Sequence, residues 1–203
     1  MPEAYHILGF DPPSSINFGW SCFRVCDGEA TLADSGVEIL PKSDDARVRL
    51  LHVERFVLSL FGRFPNIRAM CFERSIGGGW APTRENLAEC TGVIKLIGGH
   101  QDVEIISVHT GQMAKDMTGS ATKIGKKTRI KRIVKDIFFP ESKTFIEIAS
   151  YVNDEGKRIE FLEHQADAIF LGAHSLLKQG VNVSGPGGPL HLVQPDDGKR
   201  VRK

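Results

Sequence analysis

The sequence predicts an α/β fold, one open mixed sheet of five strands flanked by helices. Three observations carry this reading. An apolar strand, Ile7-Leu8-Gly9-Phe10, delivers a single carboxylate, Asp11, to its end, and a Pro/Ser/Asn turn leads into a second strand from Phe18 to Val25. A second short apolar strand, Ile67 to Phe72, also ends in an acid, Glu73, between two stretches of helical periodicity. The last helical stretch carries His164 and Asp167 three residues apart, hence on one face.

The elements follow in order. Asp27-Gly28 turns the chain into a third strand, Ala30 to Leu40, and Asp44-Asp45 supplies N-cap chemistry for a helix from Ala46 to Gly62. Its apolar residues recur at Leu50, Val53, Phe56/Val57 and Leu60/Phe61, the spacing of one helix face. Pro65-Asn66 breaks it before the strand ending at Glu73. Thr83 opens a helix with Leu87, Cys90, Ile94 and Ile97 on one side, and Gly98-Gly99 closes it. Val103 to Val108 is the fifth strand. A basic segment and an amphipathic helix with Ile130, Ile133/Val134 and Ile137 inward run to Pro140. Thr144 to Ile159 reads as a hairpin about Asn153-Asp154-Glu155-Gly156, and Phe161 to Lys178 as the last helix. The expected organisation is one domain over 1–179 and a mobile Gly/Pro-rich basic tail over 180–203.

Composition bounds the answer without naming it. With 203 residues, 41% of them hydrophobic, the chain has enough apolar material for one sizeable core. The formal net charge of +1 selects no partner; the distribution of charge does. Cys22, Cys26, Cys71 and Cys90 match no paired zinc spacing and predict buried, reduced thiols. No basic leader precedes an apolar run and no stretch is long enough to span a bilayer, so the expectation is a cytoplasmic protein without a membrane partner.

The chemistry lies in four residues. If the first strand pairs in parallel with the strand ending at Glu73, Asp11 and Glu73 meet at one sheet edge, about 5 Å apart. Helix-borne Asp167 and His164 then converge on them. Carboxylates crowded in this way repel one another and raise their own pKa values unless cations neutralise them. Such oxygen-rich sites suit Mg²⁺ or Mn²⁺, and two ions about 4 Å apart clamp the attacking and leaving oxygens in phosphodiester hydrolysis. Lys115, Lys123, Lys126, Lys127, Arg129, Lys131, Arg132 and Lys135 face only Asp116 as a nearby acid, a cluster that attracts phosphates through counterion release. The expected partner is DNA.

Taken in order and spacing, the motifs resemble the RuvC family of Holliday junction resolvases, within the RNase H-like superfamily. They are Ile7-Leu8-Gly9-Phe10-Asp11-Pro12 with Gly19-Trp20, the strand ending at Glu73, Glu89-Cys90-Thr91-Gly92-Val93-Ile94, Gly111-Gln112-Met113 with Thr118 to Lys123, and His164-Gln165-Ala166-Asp167-Ala168. The resemblance implies an RNase H-like fold and a homodimeric, Mg²⁺-dependent endonuclease making paired cuts in four-way junctions, with no nucleotide cofactor. It places Asp11, Glu73, His164 and Asp167 at the family's four metal-site positions, and histidine is a permitted variant at the third. It also implies a lysine against the scissile phosphate, for which Lys115 and Lys126 or Lys127 are candidates. An apolar residue from the loop after Glu73, Ile76 or Trp80, would enter the junction and unstack bases. Subunit contacts are implied on the helix from Thr83 to Ile97. The chain departs from the pattern at Pro13, where glycine is usual, at Phe18, where threonine is common, and in a long insertion between Pro140 and Phe161. That insertion admits a looser nuclease that also cuts flaps and forks. Two other readings are a non-catalytic junction-binding protein and an actin-like or sugar-kinase lobe; the latter needs a second lobe that this length does not provide.

Overall fold

The computed structural model describes residues 3–13, 16–43, 45–74, 81–119, 126–141, 150–152, 158–160 and 162–193. Strands β1 (Tyr5–Asp11), β2 (Asn17–Cys26) and β3 (Glu29–Ile39) form an antiparallel meander. Helix α1 (Ala46–Arg63) leads to β4 (Ile67–Glu73), and α2 (Ala81–His100) leads to β5 (Glu104–Val108). Helices α3 (Thr110–Thr118) and α4 (Lys126–Phe138) precede a small hairpin of β6 (Ser150–Val152) and β7 (Arg158–Glu160). Helix α5 (Leu162–Lys178) and the strands β8 (Asn182–Gly185) and β9 (Gly188–Leu190) complete the described chain.

The sheet runs β5-β4-β1-β2-β3-β8-β9, with β1–β4, β4–β5 and β3–β8 parallel. The five expected strands are contiguous within it, and β1 and β4 pair in parallel as the sequence predicts. Central β1 is buried on both faces, which accounts for its nearly continuous apolar run. Alternate residues serve two cores. Leu8, Phe10, Met70 and Phe72 face α1 and α2, packing with Val53, Val57, Leu60, Cys90, Ile94 and Ile97. Ile7, Phe23, Ala69 and Cys71 face α5, packing with Ile169, Phe170 and Ala173 and with Ile130 and Val134 of α4. The two acids that follow Phe10 and Phe72 therefore fall on the α5 side.

Three expectations change. Among the described residues the sheet has seven strands, because the start of the expected mobile tail forms β8 and β9. Val183 and Leu190 pair across that hairpin and are both buried, so its glycines and proline serve a turn. The segment after β5 holds α3, capped by the His109 side chain, which accepts the Gln112 N–H. Helix α2 continues through Gly98 and Gly99 to His100, since Gly98 lies against Ile105 and Met70, where a Cβ would sit 2.2 Å from Ile105 Cδ1. Cys90, Ile94 and Ile97 point into the core, so the apolar face of α2 is not its outer surface. Exposed Leu96 lies there instead.

The cysteines are free, with Cys22, Cys71 and Cys90 buried. Burial pushes the Cys22 and Cys71 thiols up to about 12, leaving them protonated and inert. No helix among the described residues is long and apolar enough to cross a membrane.

Candidate active site

The candidate site is built where β1 and β4 end beneath the first turns of α5. Phe10 pairs with Phe72, so one residue further Asp11 and Glu73 stand side by side at the shared end of two parallel strands. Across β1 on the other side, Asp11 pairs with Gly19 of β2. Gly19 has no side chain because α5 lies directly on it: a Cβ there would stand 2.0 Å from the His164 carbonyl oxygen. Gly9 makes the same allowance for the Ala168 carbonyl, which accepts a hydrogen bond from Ser21 Oγ at 2.9 Å. These close approaches fix the start of α5 over the acids, and the positive end of the helix dipole favours negative charge there.

Asp11 is 9% exposed and His164 Nδ1 lies 2.7 Å from its Oδ2. A carboxylate oxygen accepting this contact puts the shared proton on Nδ1, so Nε2 is the ring nitrogen turned away from Asp11. A carboxylate-held imidazole of this kind is fixed in orientation, whether its other nitrogen binds a metal or takes a proton. Asp167 follows one turn later, half-buried like Glu73, and both take part in interactions of their own.

The structure thus brings Asp11 and His164 into contact, puts Glu73 beside Asp11 in the sheet, and carries Asp167 on the same helix as His164. Among the described residues, no three His, Cys, Asp or Glu side chains come close enough to hold a metal ion. The carboxylate oxygens nevertheless have the chemistry that Mg²⁺ and Mn²⁺ prefer, and the imidazole nitrogen would add one softer ligand.

Of the expected DNA contacts, Lys115 is exposed on α3. Lys126, Lys127 and Arg129 fall in the first turn of α4, where the backbone alone is described. Lys123, Ile76 and Trp80 lie outside the described residues.

A second cluster was not legible in the sequence. Asp116, the one acid within the basic run, turns away from it to meet His174 Nε2 at 3.0 Å and Lys178 Nζ at 3.2 Å, both on α5. Gln112 also donates to it. Burial alone would raise the Asp116 carboxyl, but hydrogen bonds from His174, Gln112 and Lys178 outweigh it and hold the group below the usual carboxylate range. Burial lowers the His174 imidazole, a larger effect than the upward pull of Asp116. The only advance signal was Asp116 itself, an acid out of place in a basic stretch.

These features define the class: an RNase H-like α/β fold with acids at the ends of adjacent parallel strands and a closing helix that bears His164 and Asp167. Its particular form is RuvC-like. The chain is similar to RuvC of Thermus thermophilus solved in complex with Holliday junction substrate, with a TM-score of 0.61 and 16% identity over 91% of this chain and 99% of that one. A second structure of Thermus thermophilus RuvC gives a TM-score of 0.59 at the same identity and coverage. The yeast mitochondrial Holliday junction resolvase Ydc2 gives 0.57, with 11% identity over 85% of this chain and 80% of that one. No protein-family model and no curated protein matches the sequence.

Proposed function

We propose that the protein is a divalent-metal-dependent endonuclease that resolves four-way DNA junctions by paired phosphodiester cuts. The observation that carries the reading is the partly buried Asp11–His164 pair beside Glu73 at the end of β1. Support comes from the RuvC-like fold around that pair and from solved neighbours whose own names or complexes are those of Holliday junction resolvases. Asp11, Glu73, Asp167 and His164 are the residues that would hold the metal. Bound there, two Mg²⁺ or Mn²⁺ ions would supply electrostatic stabilisation of the phosphodiester undergoing in-line displacement.

The chain's own residues have separable tasks. Asp11 accepts the Nδ1 proton of His164 and fixes the ring, which leaves Nε2 as the atom that either ligates metal or takes a proton from the attacking water. Lys115, with the cationic face of α4 that includes Arg132, attracts the phosphate backbone without reading sequence. A two-fold junction calls for two sites related by a two-fold axis, hence a homodimer. The outer side of α2 at Leu96 is the candidate contact, since Ile94 faces the core.

The test is cleavage of end-labelled four-way junction, fork, flap and duplex, side by side in Mg²⁺ and in EDTA. The expected result is paired, symmetrical nicks in the junction in Mg²⁺ alone. Equal cutting of flaps and forks would favour the broader branched-DNA nuclease. Binding without cutting in Mg²⁺ or Mn²⁺ would leave a junction-binding protein and refute the nuclease.

A further inference from the structure

Beside the candidate site, on the side away from Glu73, the sheet opens into a pocket. Strand β8 pairs with β3 only from Glu29 to Thr31, whereas β3 continues to Ile39. Past Thr31 a cavity of about 570 Å³ separates β3 from the C-terminal end of α4 and the β8–β9 turn. Its walls include Leu32, Ser35, Phe138, Phe139, Gln165 and Pro186. The turn is pinned in place: Gly187 N donates to the Ile137 carbonyl at 2.9 Å, and a Cβ on Gly187 would stand 1.8 Å from the Asp136 carbonyl oxygen. The wall is therefore held against α4 by a close backbone approach at Gly185 and Gly187.

Gln165 is the unusual member. It is 4% exposed, and its Nε2 donates to Ser35 Oγ at 2.9 Å. Its Oε1 is buried without a hydrogen-bond partner among the described residues. Buried acceptors of this kind are normally satisfied, so an unmet one beside a cavity marks a place for a donor. Gln165 directly follows His164, and Ser35 pairs with Ser21, which pairs with Gly9 two residues before Asp11. The pocket thus begins two strand spacings, about 10 Å, from the strand that carries Asp11.

We propose that this pocket receives one unstacked base of the substrate strand, next to the cut, and that Gln165 selects bases carrying an exocyclic amine. The inference rests on the branched-DNA nuclease reading. The amines of adenine, cytosine and guanine offer an exocyclic N–H to Oε1, whereas unpaired thymine offers only its ring N3–H, set back between two carbonyl oxygens that a buried acceptor repels. Phe138 and Phe139 supply the apolar and aromatic surface that an unstacked base needs.

Two measurements test it. In the first, junctions that differ only in the bases flanking the cut are cleaved by the wild type, Gln165→Leu and Phe139→Ala, with thermal denaturation run on each protein. The wild type is expected to cut amine-bearing sequences about tenfold faster than thymine at one flanking position. Gln165→Leu should bring that ratio to within about twofold while still cutting. In the second, 2-aminopurine replaces each flanking base in turn, and the non-cleaving Asp11→Asn protein is added. Fluorescence should rise at that same position, and the rise should be lost when Phe139→Ala is added to Asp11→Asn. Unchanged base ratios in both variants, or no fluorescence rise at any flanking position, overturn the pocket assignment alone. Failure of the wild type to cut any branched DNA overturns the nuclease reading and the pocket with it.

Discussion

Helix α5 carries two histidine–aspartate pairs ten residues apart, alike in chemistry and different in setting. His164 meets Asp11 at 2.7 Å with a quarter of its side chain exposed, at the open ends of β1 and β4. His174 meets Asp116 at 3.0 Å with only 7% of its side chain exposed, under α3 and beside Lys178. The first pair lies at a solvent-facing sheet edge, beside Glu73. The second has its carboxylate saturated by His174, Lys178 and Gln112, and His174 Nδ1 is buried without a partner among the described residues. A His–Asp contact alone therefore says little. Access to solvent and to further acids separates a pair fit for chemistry from one that locks two helices together.

The comparison breaks most visibly through the acids at the open end. Glu73→Gln and Asp167→Asn are each expected to lower junction cleavage by roughly 10³-fold or more while leaving junction binding intact or tighter, measured by single-turnover cleavage and gel shift on the same samples. Removing a negative charge weakens metal binding but also reduces repulsion of phosphate, hence the opposite directions. A variant of either residue that cuts at the wild-type rate would remove it from the site.

His164 comes next. His164→Ala should cost about 10²-fold in cleavage, and His164→Asp should recover part of it with Mg²⁺ or Mn²⁺, since a carboxylate can replace the nitrogen as a ligand. An active alanine variant beside a dead aspartate variant would reduce His164 to a helix-face residue. The sealed pair should behave in the opposite way. Asp116→Ala removes the acceptor shared by His174, Lys178 and Gln112, and urea denaturation should show a loss of about 1–2 kcal/mol, with cleavage per folded molecule little changed.

The smallest effect is the most specific to the sealed pair. His174 sits below its ordinary value of 6.5, so between that value and its folded one the unfolded chain binds a proton that the folded chain does not. Its contribution to stability is fully present above pH 6.5 and is lost as pH falls toward the folded value. Asp116, lowered from 3.8, has the same sign: its contribution is present above 3.8 and is lost as pH falls through the folded value. Thermal denaturation of the wild type should therefore lose stability from pH 6.5 downward relative to His174→Gln. Parallel curves would contradict the burial of a neutral imidazole there.

The open end was legible in the sequence because each part is local. Asp11 and Glu73 each close a short apolar run, and His164 and Asp167 share a helix face by spacing alone. The sealed end was not. Asp116 and His174 are 58 residues apart, and nothing near either one signals the other. Helix α3 was hidden by a cap made from His109, not one of the usual capping residues, and by the basic composition around it. Strands β8 and β9 were hidden because Gly185-Pro186-Gly187-Gly188 has the composition of a tail, while the pairing of Val183 with Leu190 that makes it a hairpin is visible only in three dimensions. Gln165 was passed over for a related reason, since an amide between two site residues shows its burial only in the fold.

The measurement that bears most directly on the central claim is a Mg²⁺ titration of single-turnover cleavage of a labelled four-way junction by the wild type and Asp11→Asn. The account predicts no cutting in EDTA, paired nicks that rise with Mg²⁺ and saturate for the wild type, and essentially none for Asp11→Asn at any Mg²⁺ concentration, although both bind the junction. Cleavage by the wild type in EDTA, or a normal Mg²⁺ response from Asp11→Asn, would contradict it.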